Sequence, residues 1–186
     1  DCDFGDAVQL HFGSMAPGGY AWMFPTNRGA NIGVGIQNKF SKNKNLNDLS
    51  NDFISRYEGD ITFSGAGSLP MSGSIKTFVK GNYVLVGDSA GMVLPSNGAG
   101  ITIAMIGGRI AGQVISEHLK NGTPLSEYEK RWNKQMGKVM RNSKRAFFLG
   151  SFVLRLPDWI INSMFNRFTK FMVWRFITCR NMFVIF

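Results

Sequence analysis

Fifteen residues in the middle of the chain gather the groups needed to hold a flat ligand with a hydroxylated chain. They are Gly87-Asp88-Ser89-Ala90-Gly91-Met92-Val93-Leu94-Pro95-Ser96-Asn97-Gly98-Ala99-Gly100-Ile101. The apolar run 82–87 before them predicts a buried strand of a parallel sheet, and ligands of such sheets bind at the C-terminal ends of the strands. Asp88 falls at that end and can accept hydrogen bonds from the hydroxyls of a sugar-like chain. Gly98-Ala99-Gly100 then opens a long predicted helix, 98–120, whose first N–H groups lack intrahelical partners and favour negative charge. Glycine there lets a flat ring approach the backbone. A reduced flavin, with its negative charge near N1 and the C2 carbonyl, matches such a helix end. The plainer alternative is a Gly-Asp turn followed by an ordinary helix.

A second string, Pro17-Gly18-Gly19-Tyr20-Ala21-Trp22-Met23-Phe24-Pro25, has a different chemistry. In a strand, Tyr20, Trp22 and Phe24 point to one face. They make an apolar wall with two polar tips, suited to a hydrocarbon ligand. The alternative is the core face of a sheet.

Together the two strings resemble the geranylgeranyl reductase family, within the p-hydroxybenzoate hydroxylase-like flavoproteins. The resemblance covers roughly residues 1–150 and makes the chain the C-terminal portion of such an enzyme. It implies that Asp88, after Gly87, binds the ribityl chain of FAD, that Pro95 lies by the isoalloxazine, and that Gly98, Ala99, Gly100 and Ile101 meet its pyrimidine edge. It also implies that Tyr20, Trp22, Phe24 and Pro25 line the isoprenoid cavity. The implied reaction is hydride transfer from reduced flavin to a C=C bond of a geranylgeranyl chain, with a proton added to the other carbon. The electron donor, NAD(P)H or ferredoxin, is left open. No residue declares itself as the acid: Tyr20 or a water can serve, while His11 reads as a strand residue and His118 as structural. The family opens with a βαβ unit carrying Gly-x-Gly-x-x-Gly, which cradles the FAD pyrophosphate. These 186 residues contain no such unit, so an N-terminal FAD-binding half is an expected partner and the chain alone is expected to bind FAD poorly. Two other classes stay open: a related flavin monooxygenase or quinone-linked dehydrogenase, and a non-enzymatic prenyl-lipid-binding module.

The elements that must position these residues follow from periodicity. Residues 7–12, 19–24 and 30–37 predict an antiparallel meander. Residues 46–57 place Leu46, Leu49, Phe53, Ile54 and Tyr57 at helical spacing, and 60–69 predict a further strand. Thr123 and Pro124 predict the cap and first position of another helix reaching about residue 149, and 151–186 predict two more, broken near Pro157. The fold class expected is α+β, a fragment of an α/β flavoprotein. It has an antiparallel substrate sheet (1–80), one flavin-binding strand-loop-helix unit (81–122) and a helical C-terminal region (123–186).

Charge is divided unevenly. Residues 1–129 hold nine Lys/Arg against eleven Asp/Glu, whereas 130–186 hold twelve Lys/Arg and only Asp158. That basic third also carries Phe147, Phe148, Phe152, Trp159, Phe165, Phe168, Phe171, Trp174 and Phe176. Basic and aromatic residues at helical spacing predict contact with an anionic membrane surface, with Lys144, Arg145, Arg155, Arg167, Lys170 and Arg175 at headgroups. Nucleic acid is disfavoured, because no nucleic-acid motif accompanies the charge and the apolar content is high. Charged residues interrupt every long apolar stretch, which argues against a membrane-spanning helix. Cys2 and Cys179 form no C-x-x-C pair, and with two histidines they give no metal-ligand spacing. The chain begins at Asp1 without a secretory signal pattern, so it reads as a piece of a longer cytoplasmic protein, peripheral at the inner face of the cell membrane.

Overall fold

The computed structural model describes residues 5–40, 45–153 and 156–163. The described residues fall into two compact units, one of residues up to 66 with those from 151 onward, the other of 67–150.

The first unit is built on the expected meander. Strands β1 (Gln9–His11), β2 (Tyr20–Thr26) and β3 (Gly29–Gly35) form an antiparallel sheet in the order β1-β2-β3. The β2–β3 hairpin closes on Asn27-Arg28, between the paired Thr26 and Gly29. The register places Ala21 opposite Val34 and Met23 opposite Ile32, so those four share one face. Helix α1 (Leu46–Ile54) starts at Asn45, whose side chain accepts the Asn47 N–H. It delivers Phe53, fully buried, to a cluster of Ala16 and Ala21 flanked by Met15, Ile32, Val34 and Tyr57. His11 joins this packing edge-on to Phe53, with ring centroids 5.2 Å apart, and reaches Gln9, which also accepts from Tyr57. Asp158, the one acidic residue after position 130, accepts both the N–H and the hydroxyl of Ser14 in this unit, at 3.1 and 2.8 Å.

The second unit holds a two-stranded hairpin, β4 (Val79–Lys80) and β5 (Tyr83–Val84), then a 3-10 turn at Gly87–Ala90 and helices α2 (Ile101–Asn121) and α3 (Glu127–Val153). Its core joins Phe78, Met92, Ile103, Ile110, Val114, Tyr128, Trp132, Met136 and Met140. Glu129 ties the hairpin to α3 by accepting the N–H groups of Phe78 and Val79 at 2.6 and 3.1 Å. Arg131 on α3 donates two bonds to Glu117 on α2, at 2.7 and 2.6 Å.

Three expectations are corrected. Residues 82–87 are not a buried parallel strand: β5 pairs antiparallel with β4, and Tyr83 and Leu85 are exposed while Val84 and Val86 pack on the core. A continuous apolar run is buried on both sides only when sheet neighbours and covering layers exist, and among the described residues β5 has one strand neighbour. Residues 60–69 form no strand, and all are exposed. Their alternation of Ile61 and Phe63 has no sheet face to meet. Thr123 does not cap α3: its N–H and hydroxyl both donate to the Asn121 side chain, at 3.2 and 2.7 Å. Gly122, at φ 76°, ends α2, and α3 starts at Glu127. Met164 and the residues after it, including Phe165, Phe168, Trp174 and Cys179, lie outside the described residues, as does Cys2.

Burial pushes the Tyr128 hydroxyl up to about 12. It donates to the Leu85 carbonyl at 3.2 Å and to the Met92 sulfur at 3.7 Å. The folded pKa lies above the ordinary tyrosine value of about 10. The stability this phenol confers is therefore complete below about pH 10 and is lost as pH rises toward 12. Denaturation midpoints followed from pH 9 to 12 should fall for the wild type through that window and fall less for Tyr128→Phe. Parallel slopes would contradict this.

Candidate functional site

In the first unit, β2 divides its residues cleanly. Ala21 and Met23 are fully buried against the unit's core, whereas Tyr20 and Trp22 are half-buried and Phe24 is exposed, on the opposite face. The rings stand side by side: Tyr20 and Trp22 centroids are 5.8 Å apart, Trp22 and Phe24 6.2 Å, and Phe12 adds a fourth ring 6.1 Å from Tyr20. The aromatic face is therefore not this unit's core face. Pro25 follows in β2 opposite Ala30, beyond the stretch of β2 paired with β1, and alternation puts it on the face of Ala21 and Met23, opposite the three rings. Desolvation by burial raises the Tyr20 pKa, so Tyr20 keeps its proton through neutral pH.

The wall has a foundation that the sequence reading overlooked. Across the hairpin, Tyr20 faces Gly35, Trp22 faces Gly33 and Phe24 faces Asn31. The Trp22 ring lies on Gly33 so closely that no side chain fits between them. An aromatic laid over a strand glycine is a stable cross-strand pair. The Trp22 indole N–H donates to Asn31 Oδ1 at 2.7 Å, which fixes the ring plane. The signal was present in Gly33-Val34-Gly35, an alternation that puts the absent side chains on the aromatic face.

In the second unit, the Gly-Asp string folds into a tight loop between β5 and α2. Gly87 has φ 68° and Gly91 φ 64°, both left-handed, where glycine carries no Cβ penalty. The Gly91 N–H donates to the Asp88 carbonyl and the Met92 N–H to the Gly87 carbonyl, at 2.9 and 3.0 Å. Farther on, the Ser96 N–H donates to the Ser143 hydroxyl of α3 at 3.0 Å, and the two hydroxyls are 2.9 Å apart. Leu94 and Ala99 close the second half of the loop, N–H to carbonyl at 3.0 Å.

This folding brings Asp88 and Gly100 together: a Cβ on Gly100 would stand 3.7 Å from Asp88 Oδ1. The Asp88 side chain is exposed. The first bond along α2 runs from the Ala104 N–H to the Gly100 carbonyl. The N–H groups of Ile101, Thr102 and Ile103 thus form the open helix end beside Asp88. A hydroxyl acceptor and a cluster of donors share one rim, as the ribityl and pyrimidine parts of a flavin require. Ala99 and Ile101 are exposed on that rim, and Gly98 is half-buried near Leu69. Pro95 is fully buried, so in this conformation it shapes the loop from beneath. The wall belongs to one unit and the Gly-Asp loop to the other.

His118 is structural: its Nδ1 meets the Thr123 carbonyl at 2.8 Å. Among the described residues no three of His, Cys, Asp and Glu gather as a metal-binding group. A shallow depression of about 430 Å³ between α2 and α3 is lined by Arg109, Gln113, Arg131, Lys134 and Gln135. Glu117 already engages Arg131, and Gln135 engages Arg109.

Residues 3–66 match the geranylgeranyl reductase catalytic domain. The chain is similar to members of the geranylgeranyl reductase family. Its relatives there include digeranylgeranylglycerophospholipid reductase 3 of Methanosphaera stadtmanae, 39% identical over 72% of this chain and 36% of that protein. Digeranylgeranylglycerophospholipid reductase 2 of Methanothermobacter thermautotrophicus is 35% identical over 74% of this chain and 37% of its own length. The chain thus spans about a third of the length of these relatives. A crystal structure of a geranylgeranyl bacteriochlorophyll reductase-like protein from Thermoplasma acidophilum has the same fold, with a TM-score of 0.78 over 96% of this chain and 48% of its own. It is 24% identical.

Proposed function

We propose that this chain supplies the substrate wall and the ribityl and pyrimidine side of the flavin site in an FAD-dependent reductase of geranylgeranyl chains on glycerophospholipids. The observation that carries this reading is the rim where the exposed Asp88 carboxylate stands beside the open N-terminus of α2. When bound, FAD supplies the hydride that reduces the C=C bond. An isolated C=C bond offers no polar handle, so the chain's own contribution is positioning. Tyr20, Trp22, Phe24 and Phe12 hold the prenyl chain and exclude water. Asp88 accepts from the cofactor's hydroxyls, and the N–H groups of residues 101–103 favour the negative charge of the reduced ring. Tyr20, protonated at neutral pH, stands in the wall as a proton source. The residues present fit one end of FAD, and the remaining polypeptide of the reductase fold holds the other. NAD(P)H or ferredoxin furnishes the electrons.

Asp88→Ala tests the reading. Loss of a hydrogen bond to a charged acceptor costs about 1.5–3 kcal/mol. FAD affinity of the assembled reductase should fall roughly 10- to 100-fold, with the far-UV spectrum unchanged. Unaltered affinity would remove Asp88 from the site.

We further propose peripheral contact with the inner face of the cell membrane. Near the end of α3 and beyond, Phe148, Phe152 and Trp159 are exposed, and Lys144 and Arg145 are exposed as well. Among the described residues no helix is long and apolar enough to cross a membrane. Co-sedimentation with vesicles containing anionic phospholipid should exceed that with neutral vesicles, and Phe148→Ser with Trp159→Ser should lower it at least threefold. Equal sedimentation with both vesicle types would contradict the contact.

A further inference from the structure

The exposed side of helix α3 carries charge of one sign. Residues 130–145 hold seven Lys/Arg and no Asp or Glu, and every exposed residue in that stretch is Lys, Arg, Asn or Gln. Lys134, Lys138 and Arg141 follow one another at steps of four and three, so they share one side of the helix. Lys130 and Arg131 are neutralised by Glu127 and Glu117. Among the described residues, Lys134, Lys138 and Arg141 form no ion pair. Arg109 of α2 donates to the neutral Gln135 at 3.3 Å and keeps its charge. With Lys134, Gln113 and Gln135 it rims the depression between the two helices, above the buried Ile110.

Like charges at this spacing destabilise a helix, so the row is kept against the helix's own stability. Nor is it a face for packing inside a larger fold, because unpaired charge is costly to bury. A basic row of this kind suits a surface that stays in water until an anionic partner meets it.

Its dimensions and composition choose the partner. From Lys130 to Arg145 the helix rises roughly 22 Å, which exceeds a single phosphate group and matches one side of a protein interface. No exposed apolar side chain interrupts 130–145, whereas insertion into a bilayer needs one. The first exposed ring, Phe148, comes only beyond it. The depression is concave, as a protruding acidic surface requires and a flat bilayer does not. Position adds a role. Ser143, within this stretch, accepts the Ser96 N–H at 3.0 Å, which ties the basic segment to the loop running from Asp88 to Gly100.

We propose that Arg109, Lys134, Lys138 and Arg141 form the docking surface for a small acidic electron-carrier protein. The electron role rests on the reading of this chain as part of a reductase. Each C=C bond reduced takes up two electrons and two protons; the docked carrier is oxidised by those two electrons and water supplies the protons. Docking itself needs only the charge pattern.

The test measures binding of this chain to an acidic [4Fe–4S] ferredoxin by biolayer interferometry. Saturable binding is expected, at least tenfold weaker in 150 mM than in 20 mM salt (roughly the range over which charge steering is screened). Lys134→Glu with Lys138→Glu should weaken it at least tenfold. Lys80→Glu with Lys120→Glu makes the same change in net charge at exposed positions elsewhere and should leave it within threefold. Both pairs should melt within about 2 °C of the wild type. Absence of saturable binding overturns the proposal, as does equal weakening by the two pairs, which would report net charge alone. It is also overturned if the Lys134 and Lys138 changes abolish sedimentation with phosphatidylglycerol vesicles, or binding to a duplex oligonucleotide, while ferredoxin binding persists. Stripe-dependent ferredoxin binding by an assembled reductase that takes up no FAD keeps the docking surface and removes the flavin reading. An assembly that binds FAD and whose ferredoxin affinity is indifferent to the α3 changes does the reverse.

Discussion

Trp132→Ala is expected to cost about 3–5 kcal/mol, which leaves the second unit little or no net stability at 25 °C. Trp132 is 1% exposed and lies where the three parts of that unit meet. Phe78, just before β4, stands edge-on to it with centroids 6.1 Å apart. Gly107 of α2 presents bare backbone to it, with a Cβ position 3.5 Å from the indole ring, and Met92 of the Gly-Asp loop fills the same space. Removing the indole opens a cavity that these neighbours fill only in part, since α2 and α3 are held at a fixed spacing by Glu117 and Arg131. Urea unfolding followed by far-UV circular dichroism should show the midpoint collapse, whereas Trp159→Ala at an exposed position should change it little. A Trp132→Ala midpoint within 1 kcal/mol of the wild type would mean that the core is organised around some other residue.

Gly91→Ala, the addition of one methyl group, is expected to cost about 2–5 kcal/mol. Gly91 has φ +64°, and an L-residue there costs about 1–2 kcal/mol. The new Cβ would also stand 2.5 Å from the Gly73 carbonyl oxygen and 3.1 Å from its carbon. That neighbour is backbone and cannot rotate aside, so an overpacking cost of about 1–3 kcal/mol is added. The 3-10 turn that presents Asp88 ends at Gly91, so the strain reaches the rim directly. The Ile75 to Ala90 backbone bond, at 3.2 Å, lies beside the clash. Gly81→Ala is the matched control: φ there is +57°, but nothing lies within 4 Å of the added atom. The difference between the two midpoints measures the clash alone. Equal costs would show that the loop has room at Gly91.

Much of the site was legible before the fold, for a physical reason. Alternation in Tyr20-Ala21-Trp22-Met23-Phe24 is a local property, and a strand converts it into two faces without outside help. What the sequence left undecided was which face is the core, and Phe53 of α1 decides that by burying Ala21. The turn at Gly87–Ala90 and the start of α2 near Gly100 were likewise written in glycines. Features that depend on partners were misread. The run 82–87 looks like a buried strand because its residues are apolar, yet burial is conferred by neighbours. Residues 60–69 alternate without a sheet to meet. Thr123 has the chemistry of a helix cap, but Asn121 engages its hydroxyl first. Gly33 and Asn31 escaped notice because their roles appear only once the β2–β3 register sets them opposite Trp22 and Phe24.

The central claim is that the rim at Asp88 and the N-terminus of α2 holds one end of a flavin. The direct measurement is an FAD titration, followed by flavin fluorescence, of this chain assembled with the remaining polypeptide of a family reductase. Wild type and Asp88→Ala would be compared at equal complex concentration. The account predicts saturable binding by the wild-type assembly and a loss of roughly 10- to 100-fold in affinity for Asp88→Ala. An intact assembly that binds no FAD, or that binds it equally well without the Asp88 carboxylate, would contradict it.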